Sequence, residues 1–340
     1  MKITISDVAK KANVSVATVS RVMNGNYPVK ESTKKIVLQA IKELNYIPNM
    51  QAKELTKQTS TTVGVISPSI NNMFFPEVIN GIQSKLNKSC YSLILNCSNN
   101  DMNHEIRCVN DLVSRNVAGF IILDPNTENI KSKFYNDISK QVPIVFINGY
   151  SPSANISSVS NDEAFGANIA LNHLIENNHK DILFIKGEDS FSYDVKESIY
   201  IGKMKELGKF NPKRIINIGK GNSKNTVDIT CEMLIPTLKN SNCTAAFCCN
   251  DLMAVGVLNA CKKLGLNVPK DFSIIGFDNI DLSRYVEPKL TTIDQNMSML
   301  GINAANLLLE KIENNNKFSK RIILNNSLVK RQTVDFMSSK

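Results

Sequence analysis

No two of the eight cysteines are spaced as a C-x-x-C pair, and the chain carries only three histidines. A structural zinc site needs thiols and imidazoles at ligand spacing, so no metal is expected. Most of the cysteines lie inside apolar runs and read as reduced core thiols of a cytosolic protein. Catalytic signatures are missing too. There is no G-x-G-x-x-G and no P-loop; G-K-G-N-S-K at 219–224 has its glycines and lysine in the wrong order. His104, His173 and His179 have no evident serine or cysteine partner arrangement. The chain is therefore not expected to be an enzyme or to need a cofactor. No apolar run approaches the roughly 20 residues of a membrane span, and the N-terminus lacks an apolar signal core. Neither membrane insertion nor export is expected, which leaves the cytoplasm.

Positive charge is present, and it is unevenly placed. The 340 residues carry a formal net charge of +9. Residues 1–60 hold ten lysines and arginines against four acidic residues, a surplus of six. That concentration places a phosphate-binding surface at the N-terminus. The length allows two or three domains.

Residues 4–25 read as two short helices around a tight turn. Ile5, Val8, Ala9 and Ala12 recur at helical spacing, and Thr4 can cap the first helix with Asp7 at its positive end. The pattern breaks at 13–15. Ser15 caps a second helix that runs through Asn24, with Val19, Val22 and Met23 inward and Val16, Ala17, Thr18, Ser20 and Arg21 outward. That short, polar, singly positive face suits a recognition helix in a DNA major groove. A third helix is expected over 32–44, with Ile36, Val37, Ala40, Ile41 and Leu44 inward, and a fourth, short one over 50–55. Leu55 would end that exposed helix, either as a docking contact or as a wedge in the minor groove. Residues 56–62 are polar and aperiodic and read as a linker.

From 62 onward, short β-rich runs alternate with helical patterns. Strands are expected at 63–67, 92–96, 119–123 and 144–147, with helices at 75–88, 105–115 and 130–140 between them. A second series places helices at 162–177, 195–207, 227–238 and 251–264 among strands at 182–185, 214–218, 245–248 and 273–276. A tail follows, with strands near 291–294, 321–324 and 328–330 and a helix at 297–312. Repeated βαβ units mean parallel sheets wrapped by helices. The pattern alone fits one large doubly wound domain or two lobes.

The stretches D-V-A-K-K-A-N-V-S-V-A-T-V-S-R-V-M-N-G (7–25) and L-N-Y-I-P-N-M-Q-A-K-E-L (44–55) resemble, without a gap, the DNA-binding headpiece of the LacI/GalR family of bacterial repressors. The likeness continues more loosely through the chain and leans towards the galactose-repressor and catabolite-control branch. It implies an all-α helix-turn-helix headpiece (1–46), a hinge helix and linker (47–61), and a two-lobed periplasmic-binding-protein-like α/β body (62–340). The chain would cross between lobes near Ser158, Leu290 and Ser319. The first lobe would hold about 62–160 and 291–318, the second about 161–290 and 319–340. The implied function is that of a homodimeric transcriptional repressor of carbohydrate or related metabolic genes. Its partners would be a near-palindromic double-stranded DNA operator with a central C-G step and a small effector, such as a sugar or sugar phosphate.

Residue by residue, the resemblance gives base reading to Val16, Ala17 and Arg21, with Thr4, Ser15, Thr18, Ser20, Asn24, Asn49, Ala52 and Lys53 beside them on the DNA, and makes Leu55 the operator wedge. Arg21 is the expected bidentate partner for guanine. In the body it points to the carboxyl ends of the strands, where α/β sheets bind ligands. Asn72 and Phe74 are expected in the cleft with Phe75 half buried. Asn148 and Asp162 match ligand contacts, although Asp162 can equally be only a helix cap. Asn250 is the better ligand and Asp251 the better cap, and Asp278 is a good hydroxyl acceptor.

Two positions depart from the family pattern. A cleft arginine is usual three residues before the glycine matched by Gly202, and Ile199 stands there instead, with Lys196 and Lys203 nearby. A simple sugar bound in the usual way is thereby in doubt. Control by a protein corepressor, the alternative in the catabolite-control branch, uses an arginine where this chain has Asn306. A solute-binding transport protein would share the body but not the headpiece. The short polar segment 331–340 adds no heptad, which favours a dimer over a tetramer.

Overall fold

The computed structural model describes residues 3–25, 27–47, 60–149, 156–188, 190–314 and 318–337. The chain forms two compact units, Met1–Ser60 and Thr61–Lys340. The expected hinge helix and most of the linker lie outside the described residues.

In the first unit α1 (Ile5–Lys11), α2 (Val16–Asn24) and α3 (Glu31–Glu43) enclose Val8, Ala9, Ala12, Val19, Val37 and Ala40. Ser15 caps α2, its hydroxyl accepting the Thr18 N–H at 3.1 Å. At the other end Gly25 takes the left-handed φ of 68°, where a glycine ends a helix without strain. Thr4 works differently from a simple cap. Both its N–H (2.8 Å) and its hydroxyl (2.7 Å) donate to the Asp7 carboxylate. One inward assignment fails: Ile36 is 53% exposed. The buried stripe of α3 runs through Val37, Ala40, Ile41 and Leu44, spaced i, i+3, i+4 and i+7, and Ile36 lies one residue off it.

The second unit begins with β1 (Thr62–Ser67), α4 (Phe74–Lys88), β2 (Ser92–Cys97), α5 (Met102–Ser114) and β3 (Gly119–Leu123). The helix expected over 130–140 is two short ones, α6 (Thr127–Lys131) and α7 (Phe134–Ile138). Ser132 breaks them with extended backbone and accepts the Phe134 N–H on its hydroxyl. Strands β4 (Ile144–Ile147) and β5 (Ser157–Asn161) follow. Then come α8 (Glu163–Glu176), β6 (Ile182–Lys186), α9 (Phe191–Glu206), β7 (Ile215–Asn217) and α10 (Thr226–Lys239). After these lie β8 (Ala245–Cys248), α11 (Asp251–Lys263), β9 (Ser273–Ile275) and α12 (Leu282–Tyr285). The chain ends with β10 (Thr292–Asp294), α13 (Met297–Asn314), β11 (Arg321–Leu324) and β12 (Ser327–Val329).

Two parallel sheets result, in the orders β11-β5-β4-β3-β1-β2 and β7-β6-β8-β9, with a small antiparallel ladder β10-β12. The larger sheet is buried on both faces, as helix-covered parallel sheets are. Val63, Val65, Ile121, Val145 and Ile147 face α4 and α13, while Ile66, Phe120, Ile122, Ile144 and Phe146 face α5 and Tyr135. The crossing expected near Ser319 falls later. β11 pairs in parallel with β5, from Arg321 against Ser158 to Leu324 against Asn161, and so belongs to the first lobe. The chain passes over after it, near Asn326, whose amide donates to the Asp162 carbonyl.

Two features hold the body together. Helices α4 and α13 approach so closely at Gly81 and Gly301 that a Cβ on either would collide with a carbonyl of the other helix, that of Ser298 or Val78. Asp251, fully buried at the start of α11, accepts the Ile280 N–H (2.9 Å) and the Thr292 hydroxyl (2.5 Å), tying the second lobe to the crossover strand. Burial outweighs these bonds and pushes its carboxyl up to about 7.

A Gly301→Val chain is expected to lose at least about 2 kcal/mol of stability by overpacking, read as a lower urea midpoint. Asp251 binds its proton more tightly folded than unfolded. It therefore makes stability fall as pH rises through the interval between about 4 and about 7, with no further change from this group above. Thermal scans of Asp251→Asn from pH 4.5 to 7.5 should show a shallower decline than those of the parent chain.

Candidate functional site

Within the first unit, α2 presents Val16 (42% exposed), Ala17 and Arg21 outward. The polar residues around them are bonded locally. Ser15 and Thr18 join hydroxyls at 2.9 Å, and Asn24 donates to Ser20 at 3.2 Å. No ion pair among the described residues involves Arg21; its guanidinium lies over the ring of Tyr27, 5.4 Å from the centroid. Tyr27, not singled out from sequence, thus restrains that side chain at a helix end from which it still reaches solvent. Thr4, exposed at the start of α1, is the remaining described residue of the expected DNA set. Asn49, Ala52, Lys53 and Leu55 fall outside the described residues.

In the second unit, a cavity of about 40 Å³ lies between the two sheets at the carboxyl ends of their strands. That is room for roughly three waters. Asn72, Phe74, Phe75, Asp124 and Asn148 line it from the first lobe; Glu163, Tyr193, Lys196, Asn250 and Asp278 line it from the second. Six of the seven residues expected in the cleft are brought together here. Asp162 is the exception. It caps α8, its carboxylate accepting the Phe165 N–H at 2.8 Å, and the next residue, Glu163, faces the cavity in its place.

Phe75, expected half buried, is 3% exposed and meets Phe74 edge to face at 5.4 Å. Asn250, not Asp251, caps α11, accepting the Met253 N–H at 2.8 Å. Its amide nitrogen also donates to Tyr193, the Gly221 carbonyl and Asn222.

The departure at Ile199 has a structural resolution. Ile199 packs on the core of the second lobe, whereas Lys196, one helical turn earlier, reaches the cavity. Its ammonium is 1% exposed and lies 3.0 Å from the Glu163 carboxylate. It donates to Ser192 Oγ (2.8 Å) and the Cys249 carbonyl (3.3 Å), and sits 3.8 Å from the Phe277 ring centroid. Burial works against the charged form, but Glu163, Cys249 and Asp278 more than offset it, so the lysine pKa is raised. Lys203 is spent on Glu206 at 3.7 Å.

Asp124 was not read from sequence. It follows β3 in a D-P pair that looks like an ordinary turn. Its side chain still meets solvent, yet the cleft walls and Glu163 push the carboxyl up to about 7, against a hydrogen bond with Asn148. Asp278 is raised well above the usual carboxylate range, chiefly by burial, although Lys196 and a 2.5 Å bond from Gln295 oppose this. Asp124, Asn148 and Asp278 have φ of 41°, 57° and 116°. Non-glycine residues held there at three strand ends of one cavity mark a functional site.

The described residues include no group of His, Cys, Asp and Glu arranged to hold a metal, and no helix long and apolar enough to cross a membrane. The described cysteines are unpaired; Cys90 is exposed rather than core, while Cys108, Cys231, Cys248, Cys249 and Cys261 are buried.

Comparison with known proteins agrees with both units. Residues 4–49 match the model of bacterial regulatory proteins of the lacI family, and residues 171–334 that of a periplasmic binding protein-like domain. Catabolite control protein A of Priestia megaterium is 38% identical over 312 residues, covering 91% of this chain and 92% of that protein. The HTH-type transcriptional repressor PurR of Pasteurella multocida is 35% identical, covering 97% and 98%. The crystal structure of the lac repressor dimer bound to operator and the anti-inducer ONPF superposes with a TM-score of 0.84 at 28% identity, covering 98% of this chain and 100% of that one. A LacI family regulator from Enterococcus faecium with bound ribose gives a TM-score of 0.70 at 27% identity, covering 82% and 100%. The chain belongs to the LacI family of bacterial regulatory proteins, transcriptional regulators that join a helix-turn-helix DNA-binding domain to a periplasmic-binding-protein-like body.

Proposed function

We propose that this regulator is a cytoplasmic homodimeric repressor, that α2 reads its operator, and that a small ligand in the body cleft sets its DNA affinity. The observation that carries this is the occurrence, in one chain, of an outward α2 face around Arg21, which forms no ion pair among the described residues, and a polar cleft at the strand ends of the body. Val16, Ala17 and Arg21 meet base edges. Thr4, Ser15, Thr18, Ser20 and Asn24 meet nearby phosphates. The segment carrying Asn49, Ala52, Lys53 and Leu55 forms the hinge, with Leu55 in the minor groove. Two such headpieces require a near-palindromic operator by symmetry. The boundaries in this reading are 1–46 for the headpiece, 47–61 for the hinge and 62–340 for the body.

Ribose bound to the Enterococcus faecium relative supports a small polar ligand in the cleft. Asn72, Phe74, Phe75, Asn148, Asn250 and Asp278, with Glu163 and Lys196, would surround it. The ligand acts as effector by binding one arrangement of the lobes more tightly than another.

Operator affinity of the full chain, selected from random DNA and measured by fluorescence anisotropy, tests the reading. Arg21→Ala should weaken specific binding by about ten- to a hundredfold, matching about 1–3 kcal/mol for a bidentate base contact, while leaving weak, salt-sensitive binding in place. An unchanged operator affinity would remove Arg21 from the contact.

A further inference from the structure

The chemistry of the ligand follows from which polar groups of the cleft are already used; this inference rests on the cleft being the effector site. Lys196 donates to Ser192 Oγ and the Cys249 carbonyl, and its charge is paired with Glu163 at 3.0 Å. A ligand anion would have to compete with that ion pair. Glu163 in turn is neutralised by Lys196. Asn250 is likewise spent at both ends of its amide.

Two carboxyls are left. Asp124 is held by Asn148 and Asp278 by Gln295, and neither forms an ion pair among the described residues. Each bonds to a neutral amide, so each retains acceptor capacity with no cation committed to it. Phe74 and Phe75 line the same cavity. A phosphate here would meet two carboxyls and a lysine already paired with Glu163. An ammonium would meet two carboxyls that feel the Lys196 charge but form no ion pair among the described residues.

We propose that the cleft takes a small hydroxylated amine of the amino-sugar kind, its ammonium facing Asp124 and Asp278, and that it rejects phosphorylated sugars. The raised carboxyls fit this, because a bound cation supplies the charge they lack. Binding then ionises them and releases protons. The titratable or charged groups facing the ligand from the surrounding elements are Asp124, Glu163, Tyr193, Lys196, Cys249 and Asp278. Tyr193 and Cys249 are both raised by burial, which leaves Asp124, pushed up to about 7, as the group that titrates near neutrality, with Asp278 raised well above the usual carboxylate range.

The test is a thermal-shift and calorimetric titration of the full chain with D-glucosamine, D-galactosamine, D-glucose, D-ribose and D-glucose 6-phosphate, each repeated on operator binding. The expected result is that an amino sugar stabilises the chain and changes operator affinity, with the neutral sugars at least tenfold weaker and the phosphate without effect. Amine affinity should rise on the order of tenfold from pH 5.5 to pH 7 as the carboxyl near 7 ionises, and Asp124→Asn should weaken it and flatten that rise. Glucose, ribose or glucose 6-phosphate binding as tightly as the amines while changing operator affinity would overturn the amine preference and leave the effector cleft intact. An amine that binds without any change in operator affinity would defeat the effector reading. No shift with either amino sugar would overturn the proposal.

Discussion

Every strand of both parallel sheets in the body runs the same way within its sheet, and both sheets turn their carboxyl ends to one cavity. That constraint places the chemistry. The turn after β1 brings Asn72, the turn after β3 brings Asp124, and the end of β4 brings Asn148. From the opposite sheet, the turns after β7, β8 and β9 bring Asn222, Asn250 and Asp278. Residues far apart in sequence converge because a right-handed βαβ crossover returns each strand to the same end. The helices on the outer faces are then free to be apolar inside and polar outside.

Much of this was legible in the chain itself. The alternation of β-rich runs with helical patterns gave nearly every element, and six of the residues expected at the cleft from loop position and family resemblance line one cavity. The failures have particular causes. Asn250 and Asp251 are both good helix caps by composition, and the choice between them depends on the buried Thr292 and Ile280 N–H, which lie about forty and thirty residues away. Strand β11 reads as part of a tail because its partner β5 lies some 160 residues earlier, and no local pattern reports such a pairing. The family's arginine position is matched by counting back from Gly202 to Ile199, which leaves Lys196 and Lys203 as the cations nearby; the count does not choose between them, and Gly202 has open space around it. The side chain that reaches the cavity is set by how α9 packs, with Tyr193, Tyr200 and Met204 buried.

Lys196 shows how the second lobe keeps a charge inside. An unpaired ammonium at 1% exposure would be strongly disfavoured, and it persists because a carboxylate, a hydroxyl, a carbonyl and an aromatic face all meet it. Glu163 is placed for this by the cap at Asp162, one residue earlier, which fixes the start of α8. A residue matched to ligand contact from sequence thus acts one step removed, by aiming its neighbour. The Lys196–Glu163 pair thus holds a paired charge in the cavity lining.

The small volume of that cleft bears on how a ligand could control DNA binding. A ligand alters a second site only through a difference in its affinity for two states of the protein. This arrangement encloses room for about three waters, so a sugar-sized molecule fully enclosed there would need the lobes further apart. The three chain crossings, and the bonds of Asp251 and Gln295 to the crossover strand, limit how the lobes can move. Two separately packed sheets joined by three crossings are the kind of architecture in which hinge motion of one lobe against the other can serve as the two-state element.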